Sequence, residues 1–259
     1  MLPETVRGGF VSSASFEEPR YIPASAWIGH GPFAFWLVEN LKPSVLVELG
    51  TYLGYSYFCF CQQVAKQGLA TQCTAIDLWG GDEHSGFYGE EIFNTVKRIN
   101  DQNYGAFSRL MRSTFVEAAG SFEDGSIDLL HIDGRHRYED VKEDFETWLP
   151  KLSDRAVVLF HDTQVEKDDF GVFRYWPEIT AAYPNFEFTH EHGLGVLGVG
   201  KNLPPSLKAL FNASKAQRAA IKRFYQSLGG TLPRKNLTWM KALSLWIRQA
   251  LHAPSRPPH

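Results

Sequence analysis

Along this chain, short apolar runs rich in β-branched residues alternate with longer segments of helical period, and each run ends at a polar residue. Val45-Leu-Val-Glu-Leu49 reads as a buried strand, closed by Gly50 and Gly54 and followed by a helix over 55–66. The unit then recurs. Residues 73–76 predict a strand ending at Asp77, 90–101 a helix, 107–111 a strand, and Phe115 the start of a short helix. A strand over 127–132 ends at Asp133, a helix follows over 138–152, and a strand over 156–160 ends at His161-Asp162. Strands alternating with helices imply an α/β fold: a doubly wound, mostly parallel, Rossmann-like sheet of seven strands with right-handed crossovers. The last two runs, 186–190 and 194–199, flank Glu191-His-Gly193 and predict an antiparallel hairpin closing one edge. Open sheets of this kind bind ligands outside the carboxyl ends of their strands, and Glu48, Asp77, Asp133 and Asp162 all fall there.

Beyond residue 200 the pattern changes. Residues 204–228 read as a helix, Gly229-Gly230 breaks it, and 237–251 read as a second helix with Trp239, Met240, Leu243, Trp246 and Ile247 on one stripe. Residues 201–259 hold eleven basic side chains and no acid, which leaves the first 200 residues at a net −14. The expected division is therefore a globular domain over 1–200 and a basic helical extension over 201–259. Such an extension suits an anionic membrane surface, a partner protein or a second copy of the chain. Nucleic acid is not expected, because no recognised motif accompanies the charge.

Composition narrows the class. With 44% hydrophobic and 21% charged residues the chain has the balance of a folded protein, not of a disordered or fibrous one. Cys59, Cys61 and Cys73 match neither a disulfide framework nor a zinc spacing, so a reducing compartment is expected. No secretory leader or membrane-length apolar run is read, and the expected location is the cytoplasm, with the inner membrane face as a peripheral site.

The first turn, Glu48-Leu-Gly50-Thr-Tyr52-Leu-Gly54-Tyr-Ser56, decides the ligand class. In a G-x-G-x-x-G turn the second glycine admits a pyrophosphate; Tyr52 and Tyr55 stand where the second and third glycines would be. No phosphate loop is present either. What remains suits a ligand with an amino-acid moiety and a ribose but no phosphate. The turn resembles the first motif of class I S-adenosylmethionine-dependent methyltransferases, in particular the catechol O-methyltransferase-like branch. Over roughly 25–200, the stretch from Asp77 to Glu90, His131-Ile-Asp-Gly-Arg-His136-Arg-Tyr and Leu159-Phe-His-Asp-Thr163 are similar to bacterial methyltransferases of glycan and antibiotic-sugar biosynthesis. The resemblance implies S-adenosylmethionine as cofactor, held by Glu48, Gly50, Thr51, Tyr52, Gly54, Ser56, Asp77, Leu78, Trp79 and Asp133, with Asp77 on the ribose hydroxyls.

Methyl transfer to a hydroxyl needs an aligned nucleophile and a place for its proton. Two strand ends supply parts for this. The resemblance implies His136 as general base and Asp133, also a catalytic group, with Asp162 as ligands of a divalent cation, magnesium or manganese; His161, which stands where the relatives carry an acid or amide, is expected either as a further ligand or as an alternate base. Histidine in that set weakens the case for magnesium, which prefers oxygen ligands. His84 and Tyr88 after Asp77, and Trp27 and His30 before the first strand, are candidates for covering the ligand. The acceptor expected is a sugar hydroxyl of a glycan, glycolipid or glycosylated natural product; a phenolic small molecule, or a non-catalytic scaffold of the same fold, are the alternatives.

Overall fold

The computed structural model describes residues 9–82, 86–167 and 169–233. One seven-stranded sheet carries the order β5-β2-β1-β6-β7-β9-β8, with β1 Val45–Leu49, β2 Gln72–Asp77, β5 Ser108–Arg112, β6 Ile127–Ile132, β7 Leu152–His161, β8 Asn185–Phe188 and β9 Leu194–Gly198. The first five are parallel to one another, and β9 pairs antiparallel with both β7 and β8. A two-stranded ribbon, β3 (Gly81–Asp82) and β4 (Gly86–Phe87), lies after β2. The strand order reverses between β1 and β6, so the crevice for ligands opens at their carboxyl ends.

Strand side chains alternate between two apolar layers, as the period of two requires. Leu46, Leu129, Val157 and Leu159 pack beneath α1 (Gly31–Leu41), α2 (Tyr55–Gln67) and α3 (Glu90–Asn103). Val47, Leu130, Val158 and Phe160 pack beneath α4 (Phe115–Ala119), α5 (Tyr138–Trp148) and α6 (Val172–Thr180). Nearly continuous burial of β1, β6 and the second half of β7 is what a parallel sheet covered on both faces demands.

Three elements differ from expectation. The helix predicted over 138–152 stops at Trp148, because Pro150 shortens the chain into a single tight turn, Leu149–Lys151, and β7 starts at Leu152. The helix predicted over 204–228 is two, α7 (Pro205–Phe211) and α8 (Lys215–Gly229), since Ser214 caps the second by accepting from the Gln217 N–H while the Gln217 side chain accepts from the Ser214 N–H. Helix α1 was not anticipated: eight successive residues from Gly31 to Val38 are buried, so no polar face marks its period. Leu207, Leu210, Ile221 and Tyr225 of α7 and α8 share the apolar layer of α1, so this part of the basic segment rests on the core. The second predicted helix, 237–251, and His84 lie outside the described residues. Among the described residues no helix is long and apolar enough to cross a membrane.

Candidate active site

A cavity of about 630 Å³ opens at the carboxyl ends of β1, β6 and β7. Its first half is backbone. Gly50, at φ +83°, has no room for a side chain: a Cβ there would stand 2.1 Å from the Asp133 carbonyl oxygen. Tyr52 takes a left-handed φ of 47° and Gly54, the residue before α2, a φ of +80°. The Asp77 carboxylate holds this bend, accepting from the Thr51 and Tyr52 N–H groups at 2.8 and 2.9 Å and from the Trp79 N–H at 2.7 Å. Three of its roughly four acceptor directions are thus committed. Trp79 is buried and donates its indole N–H to the Tyr52 carbonyl at 3.1 Å.

Of the residues expected at the cofactor, Gly50, Thr51, Tyr52, Gly54, Ser56 and Asp133 line the cavity. Asp77 and Trp79 brace the bend from behind, Glu48 is fully buried beneath it, and Leu78 is 58% exposed and outside the lining. Trp27 lines the cavity, whereas His30 is buried away from it; Tyr88 packs on Tyr52 with ring centroids 4.9 Å apart.

The second half is a cluster of acids and imidazoles. Asp133 ends β6, His136 follows three residues on, and His161-Asp162 ends β7, Asp162 itself at a left-handed φ of 62°. His136 Nε2 lies 2.9 Å from Asp162 Oδ2 and 3.8 Å from Asp133 Oδ1. His161 Nδ1 lies 3.2 Å from Asp133 Oδ1 and 3.3 Å from Asp162 Oδ2, while its Nε2 is 3.0 Å from the Glu191 carbonyl oxygen and so carries the hydrogen of that bond. Burial acts to lower both imidazole pKa values, but hydrogen bonds and charge from the two carboxylates outweigh it, raising His136 to about 9 and His161 well above its usual range. Burial likewise opposes ionisation of Asp133 and Asp162, and the imidazoles overcome it, holding both carboxyls below the usual range.

One ligand atom from each of Asp133, His136 and Asp162 lies within 4.8 Å of the others, a spacing that fits one cation. The expected trio had His161 in place of His136. A mixed nitrogen and oxygen set suits manganese, iron or zinc better than magnesium.

Sequence reasoning missed the rim. Lys167, Asp169, Phe170 and His192 line the cavity; Phe170 stacks on His136 at 4.6 Å between centroids, and His192 Nδ1 lies 3.0 Å from Asp162 Oδ1. His192 arrives from the turn between β8 and β9, where it and Glu191 take φ values of 66° and 51°. The Glu191-His-Gly193 signal was legible as a turn, yet nothing in it announced that the turn folds back over β7.

Comparison with known proteins agrees with this geometry. Residues 47–163 match the family described as a methyltransferase domain. The chain is 58% identical over 188 residues, 73% of its length, to the uncharacterized protein y4gI of Sinorhizobium fredii, of which it spans 21%. A solved structure of a putative caffeoyl-CoA O-methyltransferase from Staphylococcus aureus has a similar fold, with a TM-score of 0.53 and 16% identity over 69% of this chain and 86% of that one. The O-methyltransferase TomG from Streptomyces achromogenes, solved with S-adenosylmethionine, gives a TM-score of 0.50 and 15% identity over 77% and 91% of the two chains. The match to a methyltransferase domain thus falls on residues 47–163, which span the middle of the parallel sheet and both strand ends of the cavity.

Proposed function

We propose that this domain transfers the methyl group of S-adenosylmethionine to a hydroxyl, with a sugar of a glycan, glycolipid or glycosylated natural product as the acceptor. The observation that carries the reading is the meeting, in one cavity, of the phosphate-excluding bend at Gly50–Gly54 with the Asp133, His136, His161 and Asp162 cluster. The residues fit the cofactor: Thr51 Oγ1 and Glu48 Oε1 are buried polar atoms with no hydrogen-bond partner among the described residues, and Ser56 opens onto the same wall. When bound, S-adenosylmethionine supplies an electrophilic methyl group on a positively charged sulfur.

The chain's own residues then do the rest. Asp133 stands at the boundary of the two halves, and His136 is the base that takes the acceptor's hydroxyl proton, with Asp162, 2.9 Å from its Nε2, stabilising the imidazolium formed. A base must first be unprotonated, and in the arrangement described the two carboxylates keep the proton on His136 at neutral pH. A divalent cation held by Asp133 and Asp162 would draw off that negative charge, which is why base and cation are proposed together. Phe170 and Trp27 give the cavity apolar wall, which would shield the reacting atoms from water when the ligands are bound.

The glycan acceptor rests on the resemblance of the 77–90 and 131–138 segments. The basic α7–α8 surface, with Lys208, Lys215 and Arg223 exposed, suits docking at the inner face of an anionic membrane or in a homo-oligomer, and a cytoplasmic location accords with both. The test is transfer of labelled methyl from S-adenosylmethionine to a panel of sugar nucleotides, glycolipids and catechols, with manganese and with chelator. Labelled sugar supports the reading; labelled catechol alone overturns the acceptor, and cofactor binding without transfer to any acceptor, with or without metal, overturns catalysis.

A further inference from the structure

A second cavity, of about 400 Å³, lies at the other end of the sheet, where β1, β2 and β5 begin. Strand β2 runs from it to the bend held by Asp77, and six residues of strand span roughly 20 Å. What binds here is therefore not in reach of the chemistry at the first cavity. The helix on this face, α4, is only five residues long, and beyond it Phe122 supplies the wall. The period of two puts Thr74 on the face of Ile76 and Arg109 on the face of Met111, so both open towards the space that the short helix leaves.

The lining is a set of donors. Arg109 Nε donates to the buried Thr74 hydroxyl at 3.0 Å, and the guanidinium carbon lies 5.3 Å from the centre of the Phe122 ring. These contacts hold the guanidinium, and its four Nη hydrogens have no partner among the described residues. Other arginines are spent: Arg112 and Arg137 pair with Glu90 and Asp169, and Arg155 and Arg218 donate to main-chain carbonyls. Gly105 and Ala106, in the turn before β5, line the same cavity, and their N–H groups make no hydrogen bond among the described residues. Gln72 adds an amide, and no acid is in the lining, although the first 200 residues carry a net −14. A held fork of N–H groups, two main-chain donors and a wall without negative charge match an oxyanion.

We infer that this cavity is a second ligand site, separate from the methyl-transfer cavity, which takes a small molecule by its phosphate or carboxylate group. Arg109 takes two oxygens of the group side by side, and the Gly105–Ala106 turn supplies further donors. The site depends neither on the proposed cofactor nor on the proposed acceptor.

The test is titration of the full chain with inorganic phosphate and, separately, with acetate, at an ionic strength held constant with chloride. Heteronuclear NMR follows the amide signals of Gly105 and Ala106 and the Nε–H signal of Arg109. These are expected to move together and to saturate, and the anion that binds more tightly identifies the group. Arg109→Gln is expected to weaken that anion at least about tenfold, and Arg109→Lys, which keeps the charge without the fork, about threefold. Lys142→Gln, on the exposed side of α5, is expected to leave it unchanged. Signals that fail to saturate with either anion would overturn the inference, as would equal affinity of the wild-type chain and Arg109→Gln. Equal losses in Arg109→Gln and Lys142→Gln would overturn it too, since they would mark general surface charge. Should Arg109→Gln fail to fold, Arg109→Lys decides: affinity equal to that of the wild-type chain overturns the site.

Discussion

The two halves of the cavity are built by opposite means. The half proposed for the cofactor is main chain: a bend forced by Gly50 and Gly54, left-handed at Tyr52, and tied by two of its N–H groups to Asp77. The half proposed for the acceptor is side chain: carboxylates and imidazoles from the ends of β6 and β7 and from the β8–β9 turn, held by charge. A backbone bend of this sort tolerates almost no change of conformation, whereas a charged cluster can exchange members while keeping its balance. The first half should therefore be brittle, and the second adaptable.

The sharpest way to break the comparison is Gly50→Ala. Its Cβ would sit 2.1 Å from a main-chain oxygen at a φ of +83°, so we expect loss of S-adenosylhomocysteine binding by more than about a hundredfold and a fall in stability of roughly 2–4 kcal/mol. Retained affinity in a calorimeter would show that the bend is not the binding element. In the acceptor half, His136→Ala should lower turnover on order of 10²–10⁴-fold. Cofactor affinity should change by no more than about threefold, since His136 belongs to the acceptor cluster; a parallel loss of both in steady-state kinetics and calorimetry would mean the two halves are not separable. Asp77→Asn puts an amide hydrogen against N–H groups and is expected to weaken cofactor binding by about ten- to thirtyfold, with turnover at saturating cofactor nearly intact.

The smallest effect concerns stability away from the cavity. Burial, with Asp140 and Glu143 nearby, raises the Asp144 carboxyl to about 8. Between the ordinary carboxylate range and that value the folded chain holds a proton that the unfolded chain has released, so this group makes the fold lose stability as pH rises from about 4 to 8. Asp144→Asn should flatten that slope and stabilise the protein by on the order of 1–2 kcal/mol at pH 9, discounted for the acids it shares charge with. Denaturation curves at pH 5 and pH 9 that move by the same amount on substitution would count against it.

How much of this could be read from residues follows the same divide. Gly50, Tyr52, Gly54 and Asp77 are local signals: a strand, a bend and the next strand end, all within about thirty residues, and periodicity exposes each of them. Asp133, His136 and Asp162 were also legible, because strand ends of a parallel sheet must converge. Their partnership was less so. Both imidazoles face the carboxylates, and that of His161 is turned towards them by the Glu191 carbonyl, 30 residues away in the chain, which no spacing rule carries. His192 was hidden for the same reason. Helix α1 escaped because complete burial erases amphipathic period, and the break at 212–214 escaped because a short cap of Asn, Ala and Ser does not interrupt the apolar pattern around it.

Gly50 also presses against Asp133, the first residue of the charged cluster, and the Asp133 N–H donates to the Leu49 carbonyl at 2.8 Å. That seam joins the two loops without a hinge, so one cannot shift while the other stays put. Anyone recasting this protein for a new acceptor should leave residues 49–50 and 133–134 alone and begin at the rim with Lys167.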